Sequence, residues 1–232
     1  MGLQTMANIA NSKQKGGVMT PDMLISEGRR LARPCNFLCA KGNGPVAAIW
    51  HDRDDAEIEA TGHRCWITLD ARFVPGLPKE ISGFLTVFSD EEKCQGGRIE
   101  VQPVRPQRIG IELYAAEKAV LPPIDAVFAR GSDAVGEWLV ANKWQRDWGY
   151  NSNFSDRGIV EAYEGQWFKE HPLYRDDDTY AVLGGWHSTW PDDDWHQMID
   201  EQLLVLTIRD SEPWIEGWRM RSGQLAVVQR IT

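Results

Sequence analysis

Apolar residues along this chain switch from helical spacing to alternation, back to helical spacing, and back again. Leu24, Gly28 and Leu31 recur at intervals of four and three, which puts one face on a helix from about Pro21 to Ala32. Thr20 suits the N-cap, and Pro21 suits a first helical position where its missing N–H costs nothing. The segments 45–50, 64–73 and 81–88 are rich in Val, Ile, Phe, Trp and Thr and are separated by Gly, Pro and acidic residues, so they read as strands. Alternation is cleanest where Ile99 and Val101 oppose Glu100 and Gln102, and where Ile109, Ile111 and Leu113 oppose Gly110, Glu112 and Tyr114. Period two in consecutive segments predicts an antiparallel sheet with one wet face.

Helical spacing returns in the middle third. Gly131 and Ser132 supply a turn and N-cap ahead of an apolar stripe of Val135, Trp138 and Leu139. Gly136 inside that helix costs about 1 kcal/mol relative to alanine, which points to close packing against another backbone. A second helix, begun after Ser155, carries Ile159, Tyr163 and Trp167 and must stop before Pro172. The apolar run 203–208 then reads as a central strand, followed by a turn at 210–213 and by strands 214–220 and 224–231 across Ser222 and Gly223.

The fold class expected is therefore α+β: mainly antiparallel sheet with an N-terminal helix and two mid-chain helices, ending in a three-strand meander. The first residues, with Lys13, Lys15, Gly16 and Gly17, form no apolar core segment. Residues 1–18 are expected to be a flexible N-terminal extension, and 19–232 a single α+β domain in which Pro122 and Pro123 mark at most a subdomain seam.

Charge narrows the partners. A net charge of -9 repels a phosphate backbone, and no basic cluster reverses it locally, so nucleic acid is not expected. Apolar runs fall far short of the ~20 residues that span a bilayer. With no secretory pattern at the N-terminus, the expected compartment is the cytoplasm, where Cys35, Cys39, Cys65 and Cys94 stay reduced. The first cysteine pair has metal-ligand spacing, but His63 and Cys65 and the distant Cys94 do not supply a second tight pair. No metal or other cofactor is therefore expected, and the four are read as isolated thiols. A zinc-deaminase centre is excluded, because three residues separate Cys35 from Cys39 and no H-x-E precedes them. Nucleophile elbows, P-loops and dinucleotide-binding glycine patterns are absent.

The densest polar constellation is Trp186, His187, Trp190, Asp192, Asp193, Asp194, Trp195 and His196. Imidazoles beside carboxylates suit a divalent cation or general base. Pro191 as a first helical residue explains the aspartates equally well, since the helix dipole favours them in the first turn. Eleven tryptophans remain, nine of them between Trp138 and Trp218. Trp138 and Trp167 fall on helix stripes and read as core, whereas Trp214 and Trp218 share a strand face with Glu216. Exposed tryptophan beside carboxylate suits a protein interface or an aromatic-walled cleft.

The candidate binding residues are thus Trp186, His187, Trp190, Asp194, His196, Trp214, Glu216 and Trp218. The leading expectation is a binding protein whose acidic, Trp-rich surface engages a basic protein partner, as an immunity or antitoxin protein would. The alternatives are a metal-assisted hydrolase using His and Asp at 187–196, and a small-molecule or carbohydrate binder with tryptophan stacking platforms.

Overall fold

Among the described residues alternation becomes ten strands joined in one sheet, in which every ladder is antiparallel. The computed structural model describes residues 18–75, 77, 81–90, 97–142, 156–171, 178–185, 205–208, 214–219 and 225–230; in the last three segments the described side chains are Ile208, Leu225 and Val227. In chain order the elements are α1 (Pro21–Leu31), β1 (Arg33–Cys39), β2 (Ala48–His51), α2 (Asp55–Thr61), β3 (His63–Asp70), β4 (Phe84–Asp90), β5 (Gly97–Gln102) and β6 (Gly110–Val120). Then follow α3 (Ile124–Arg130), α4 (Asp133–Ala141), α5 (Arg157–Glu170), β7 (Thr179–Gly184), β8 (Val205–Ile208), β9 (Trp214–Arg219) and β10 (Leu225–Arg230).

The strand order β10-β9-β8-β7-β1-β6-β2-β3-β4-β5 makes the long β6 a bridge. Its second half, Tyr114 to Val120, pairs with β1, and its first half, Gly110 to Leu113, pairs with β2. The chain passes from β1 to β2 close over β6 at Gly42, where a Cβ would lie 2.4 Å from that of Tyr114. The sheet curls until its two edges touch: a Cβ on Gly97 of β5 would meet Val227 of β10 at 2.9 Å. Apolar residues from both halves then share one interior, with Leu38, Ala181, Leu183, Ile208 and Val227 against Trp66, Ile67, Leu69, Leu85, Val87 and Leu113. Val74 adds to it from the loop after β3, where Asn36 Nδ2 donates to Pro75 O at 2.7 Å.

The second core lies among helices. α1 starts where sequence places it, with Met23 N–H donating to Thr20 Oγ1 at 3.3 Å. It packs Leu24 and Gly28 against α5, and Leu121, Val127, Val135, Trp138, Val160, Tyr163 and Trp167 complete the cluster. Tyr163 is fully buried, and its hydroxyl donates to Pro122 O at 2.8 Å. Gly28 makes room for that hydroxyl, since a Cβ there would sit 2.4 Å from it.

Several expectations are corrected. Among the described residues three mid-chain helices are present, not two: the proline pair opens α3, with Pro123 at its N-cap. Residues 33–39, to which the sequence pattern assigns no element, form a strand in the middle of the sheet; Pro34 lies at the strand start, where a lost donor is tolerated. The acidic stretch after His51, which separates two predicted strands, contains α2, capped by Asp54 accepting from Glu57 N–H and ended by Gly62 at φ 70°. Gly136 packs against nothing, with open space out to 4 Å around its missing Cβ. Of Ile109, Ile111 and Leu113 only Leu113 is buried: it borders the stretch of β6 paired with β1, whereas Ile111 lies farther from β1 and Ile109 precedes the strand.

Candidate functional site

Trp186, His187, Trp190, Asp194 and His196 lie outside the described residues, as do Asp192, Asp193, Trp195 and Cys94. Trp214, Glu216 and Trp218 lie on β9, between β8 and β10. Cross-strand partners share a sheet face, which fixes the parity of β9. Ile208 pairs with Ile215 and Val227 with Gly217, and both Ile208 and Val227 are buried in the interior core. Positions 215 and 217 therefore belong to the inner face, and positions 214, 216 and 218 to the outer one. Glu216 stands opposite Thr207 and Val228, and Trp218 opposite Val205 and Ala226.

The cysteines do not form a metal centre among the described residues, where no group of three His, Cys, Asp or Glu side chains gathers. Cys35 and Cys39 lie on β1, in an apolar cluster with Phe37, Val120 and Val182. The Cys35 thiol donates to Lys118 O at 3.2 Å, while Cys39 Sγ lies 3.4 Å from Thr179 Oγ1. Cys65 is on β3, in the other half of the sheet. Burial pushes both Cys35 and Cys65 up to about 12, so each stays a thiol at neutral pH and is a poor nucleophile.

A buried polar chain also lies in that half. His51 Nε2 is 2.8 Å from Thr68 Oγ1, which is 2.9 Å from Thr86 Oγ1; His51 Nδ1 is 3.4 Å from Ile109 O. A carbonyl only accepts, so Nδ1 carries the ring proton and Nε2 accepts from the Thr68 hydroxyl. Burial lowers the His51 pKa, and the ring is neutral at pH 7. Above it Arg108 holds Glu57 with two N–H donors, at 2.5 and 2.6 Å, which keeps the Glu57 carboxyl below its ordinary range. These groups satisfy one another and tie α2 to the segment before β6; they present no activated nucleophile.

The inner face carries an aromatic group that sequence reasoning missed. The β3–β4 register shifts between Cys65 and Ile67, so Trp66 is the extra residue of a β-bulge. Its indole N–H donates to Ser89 Oγ at 2.7 Å, and Trp50 meets it edge-on at 5.6 Å. Tyr180 of β7 lies 5.2 Å from Trp50, and the Arg64 guanidinium carbon stands 3.3 Å over the Trp66 ring. Trp50 and Trp66 fall in strand-patterned runs and could have been noted as inward candidates, but the bulge has no sequence signature.

No family model, curated protein or solved structure matches this chain. Its class therefore rests on its own geometry: an α+β protein dominated by a curled antiparallel sheet, with no helix among the described residues long and apolar enough to cross a membrane.

Proposed function

We propose that this chain is a binding protein that engages a basic protein partner through the outer face of β9, with Trp214 and Trp218 as anchors and Glu216 as the charged contact between them. The observation that carries this reading is the register: 214, 216 and 218 have the parity opposite to the positions paired with buried Ile208 and Val227. Tryptophan is a frequent anchor of protein interfaces, and a carboxylate beside it gives the contact its sign. The charge distribution agrees. Residues 171–232 hold five arginines against eleven acids, while residues 1–50 hold six basic groups against two acids. An acidic C-terminal region steers a cationic partner toward β9. Neutralising a basic protein, as an immunity or antitoxin protein does, is the role this chemistry serves.

The test is capture of a partner on immobilised protein at low salt, followed by elution in rising salt. A basic protein should be retained by the wild type, released as salt rises, and lost from the double variant Trp214→Ser, Trp218→Ser at unchanged circular dichroism. Retention by the double variant equal to wild type would overturn the assignment. The metal-assisted alternative rests on His187, His196 and Asp192 to Asp194, outside the described residues; metal analysis of the purified protein, with His187→Ala as control, decides it.

A further inference from the structure

We infer that the free side of β6 between Ala115 and Ala119 is a docking edge for an extended segment of a partner protein, one that sets a basic residue opposite Glu117 and an acidic residue opposite Lys118. β1, β7 and β8 separate β6 from β9, so this edge is distinct from the surface proposed above.

The edge exists because the two neighbours of β6 cover different lengths of it. β1 runs along one side from Tyr114 to Val120, whereas β2 runs along the other side only from Gly110 to Leu113. On the β2 side Ala47 N–H adds one bond to Leu113 O at 2.8 Å. Past that bond, among the described residues, no strand lies beside Ala115, Glu117 and Ala119 on this side.

Backbone groups decide what such an edge can do. In an antiparallel strand the N–H and C=O of successive residues point to opposite sides. Asp70 N–H donates to Ala47 O at 2.8 Å on the β3 side, so the next N–H, that of Ala48, points to β6, where Ala48 pairs with Leu113. Counting on from Leu113, the N–H and C=O of Ala115, Glu117 and Ala119 point away from β1. Two contacts agree with this parity. Lys118 O lies on the β1 side, where it accepts from the Cys35 thiol at 3.2 Å, and Ala119 stands opposite Pro34, which has no N–H to give. Ala116, Glu117, Lys118 and Ala119 are all exposed. An accessible edge of free donors and acceptors is completed by an added strand.

Side chains select the occupant. Glu117 shares the parity of Leu113, and Lys118 has the opposite one, with its ammonium 5.5 Å from the Phe37 ring. Opposite charges across a ladder attract and like charges repel, so an antiparallel segment reading acid then base fits this edge. A second copy of the chain fits poorly. Antiparallel self-pairing about Glu117 or about Lys118 would set that residue against its own copy, and pairing about Ala116 would run the second strand into β2.

Titration of the isotope-labelled full chain with the end-blocked peptide Val-Glu-Lys-Val-Thr, followed by amide NMR, tests the proposal. The amides of Ala115, Glu117 and Ala119 should shift. Val-Lys-Glu-Val-Thr should bind about tenfold more weakly, because two attractive pairs become repulsive. A methyl on the backbone nitrogen of the peptide's lysine, which faces β6, should abolish binding, and one on that of its glutamate, which faces away, should not. Ala119→Pro takes a donor from the free edge and none from the β1 ladder, and should abolish the shifts at Ala115 and Glu117. Exchanging the charges by Glu117→Lys with Lys118→Glu should reverse the preference between the two peptides, and this variant carries the test if Ala119→Pro unfolds. Absence of edge shifts with both peptides, equal binding of the two, or an unreversed preference in the charge-exchanged protein would overturn the assignment. Edge shifts that follow protein concentration without peptide would overturn it too, in favour of a second copy.

Discussion

The sheet and the helical layer bury apolar surface in different ways. Around Tyr163 everything closes: the ring is fully buried, its hydroxyl bonds Pro122 O, and Gly28 is shaped around it. Trp138, beside it, spends its N–H on Asp156 Oδ2 at 2.7 Å. The sheet encloses a larger core but leaves Trp50, Tyr180 and Ile111 in reach of water. It also directs the alternate positions of β9 away from that core. Tyr163 has a backbone partner close by, whereas the sheet uses the side-chain chain from His51 through Thr68 to Thr86. The helical layer closes around Tyr163 and is joined to the ends of β1 and β6, while Val140 of α4 and Phe168 of α5 stay exposed; the surfaces proposed above for recognition lie on the sheet.

The largest effect should come from breaking the closed region. Tyr163→Ala removes a fully buried ring and leaves Pro122 O without its donor, and the cost should be about 3–5 kcal/mol. Urea unfolding followed by far-ultraviolet circular dichroism and by tryptophan fluorescence measures it. If the layer and the sheet unfold as one cooperative unit, both probes shift together. If the helices melt alone, the helical signal is lost first while the sheet persists, and the layer and the sheet are not one cooperative unit.

How much of this was legible beforehand depended on the range of the contacts. α1 was readable because its signals are local: Thr20 at the cap, Pro21 at the start, and Leu24 and Gly28 on one face. The antiparallel sheet was readable from period two, which needs no partner to be named. β1 was hidden because Arg33–Cys39 mixes a proline, two cysteines and an asparagine, and its place between β7 and β6 comes from pairing with strands far along the chain. The Asp54 and Glu57 cap of α2 was present in sequence, but the surrounding acids made it look like solvated loop. At the site, the shared face of Trp214, Glu216 and Trp218 was legible from spacing alone. Which side of the sheet that face takes required Ile208 and Val227. The group of Trp50, Trp66 and Tyr180 was not legible at all, since it joins three strands and turns on a bulge.

A second break separates the regions by pH. His171, packed 5.1 Å from Trp167 at the end of α5, is driven down to about 4 by burial, against an unfolded value of 6.5. Between those values the unfolded chain binds the proton and the folded one does not, so acid favours unfolding. Stability from this residue is complete above pH 6.5, falls as pH drops toward 4 and levels off below that, a change of roughly 3 kcal/mol. Glu57, whose pKa is lowered by Arg108, loses its contribution in the lower, carboxylate range instead. Denaturant midpoints measured between pH 7 and pH 4 should therefore slope for the wild type. They should become shallower in His171→Gln over the upper part of that interval, the residual slope belonging to His51 in the sheet, whose pKa burial also lowers. An unchanged slope in the variant would assign the acid sensitivity to the sheet.

The smallest effect tests whether the helical layer is closed at every point. Gly136 lies inside α4 with open space where a side chain would go. A glycine within a helix pays backbone entropy on folding that alanine does not, and Gly136→Ala should stabilise by about 0.5–1 kcal/mol. Gly28, also within a helix, should respond in the opposite direction. There a Cβ would meet the Tyr163 hydroxyl at 2.4 Å and its Cε2 at 2.7 Å, and the ring has no room to retreat because its hydroxyl is bound to Pro122. Overpacking of that kind costs about 1–3 kcal/mol, more than the helix propensity gained. The pair of alanine variants thus separates intrinsic propensity from packing in one layer of one protein. Opposite signs in their unfolding midpoints follow from the geometry, whereas a matching gain in both would mean that Tyr163 is free to move and that the layer is looser than its contacts imply.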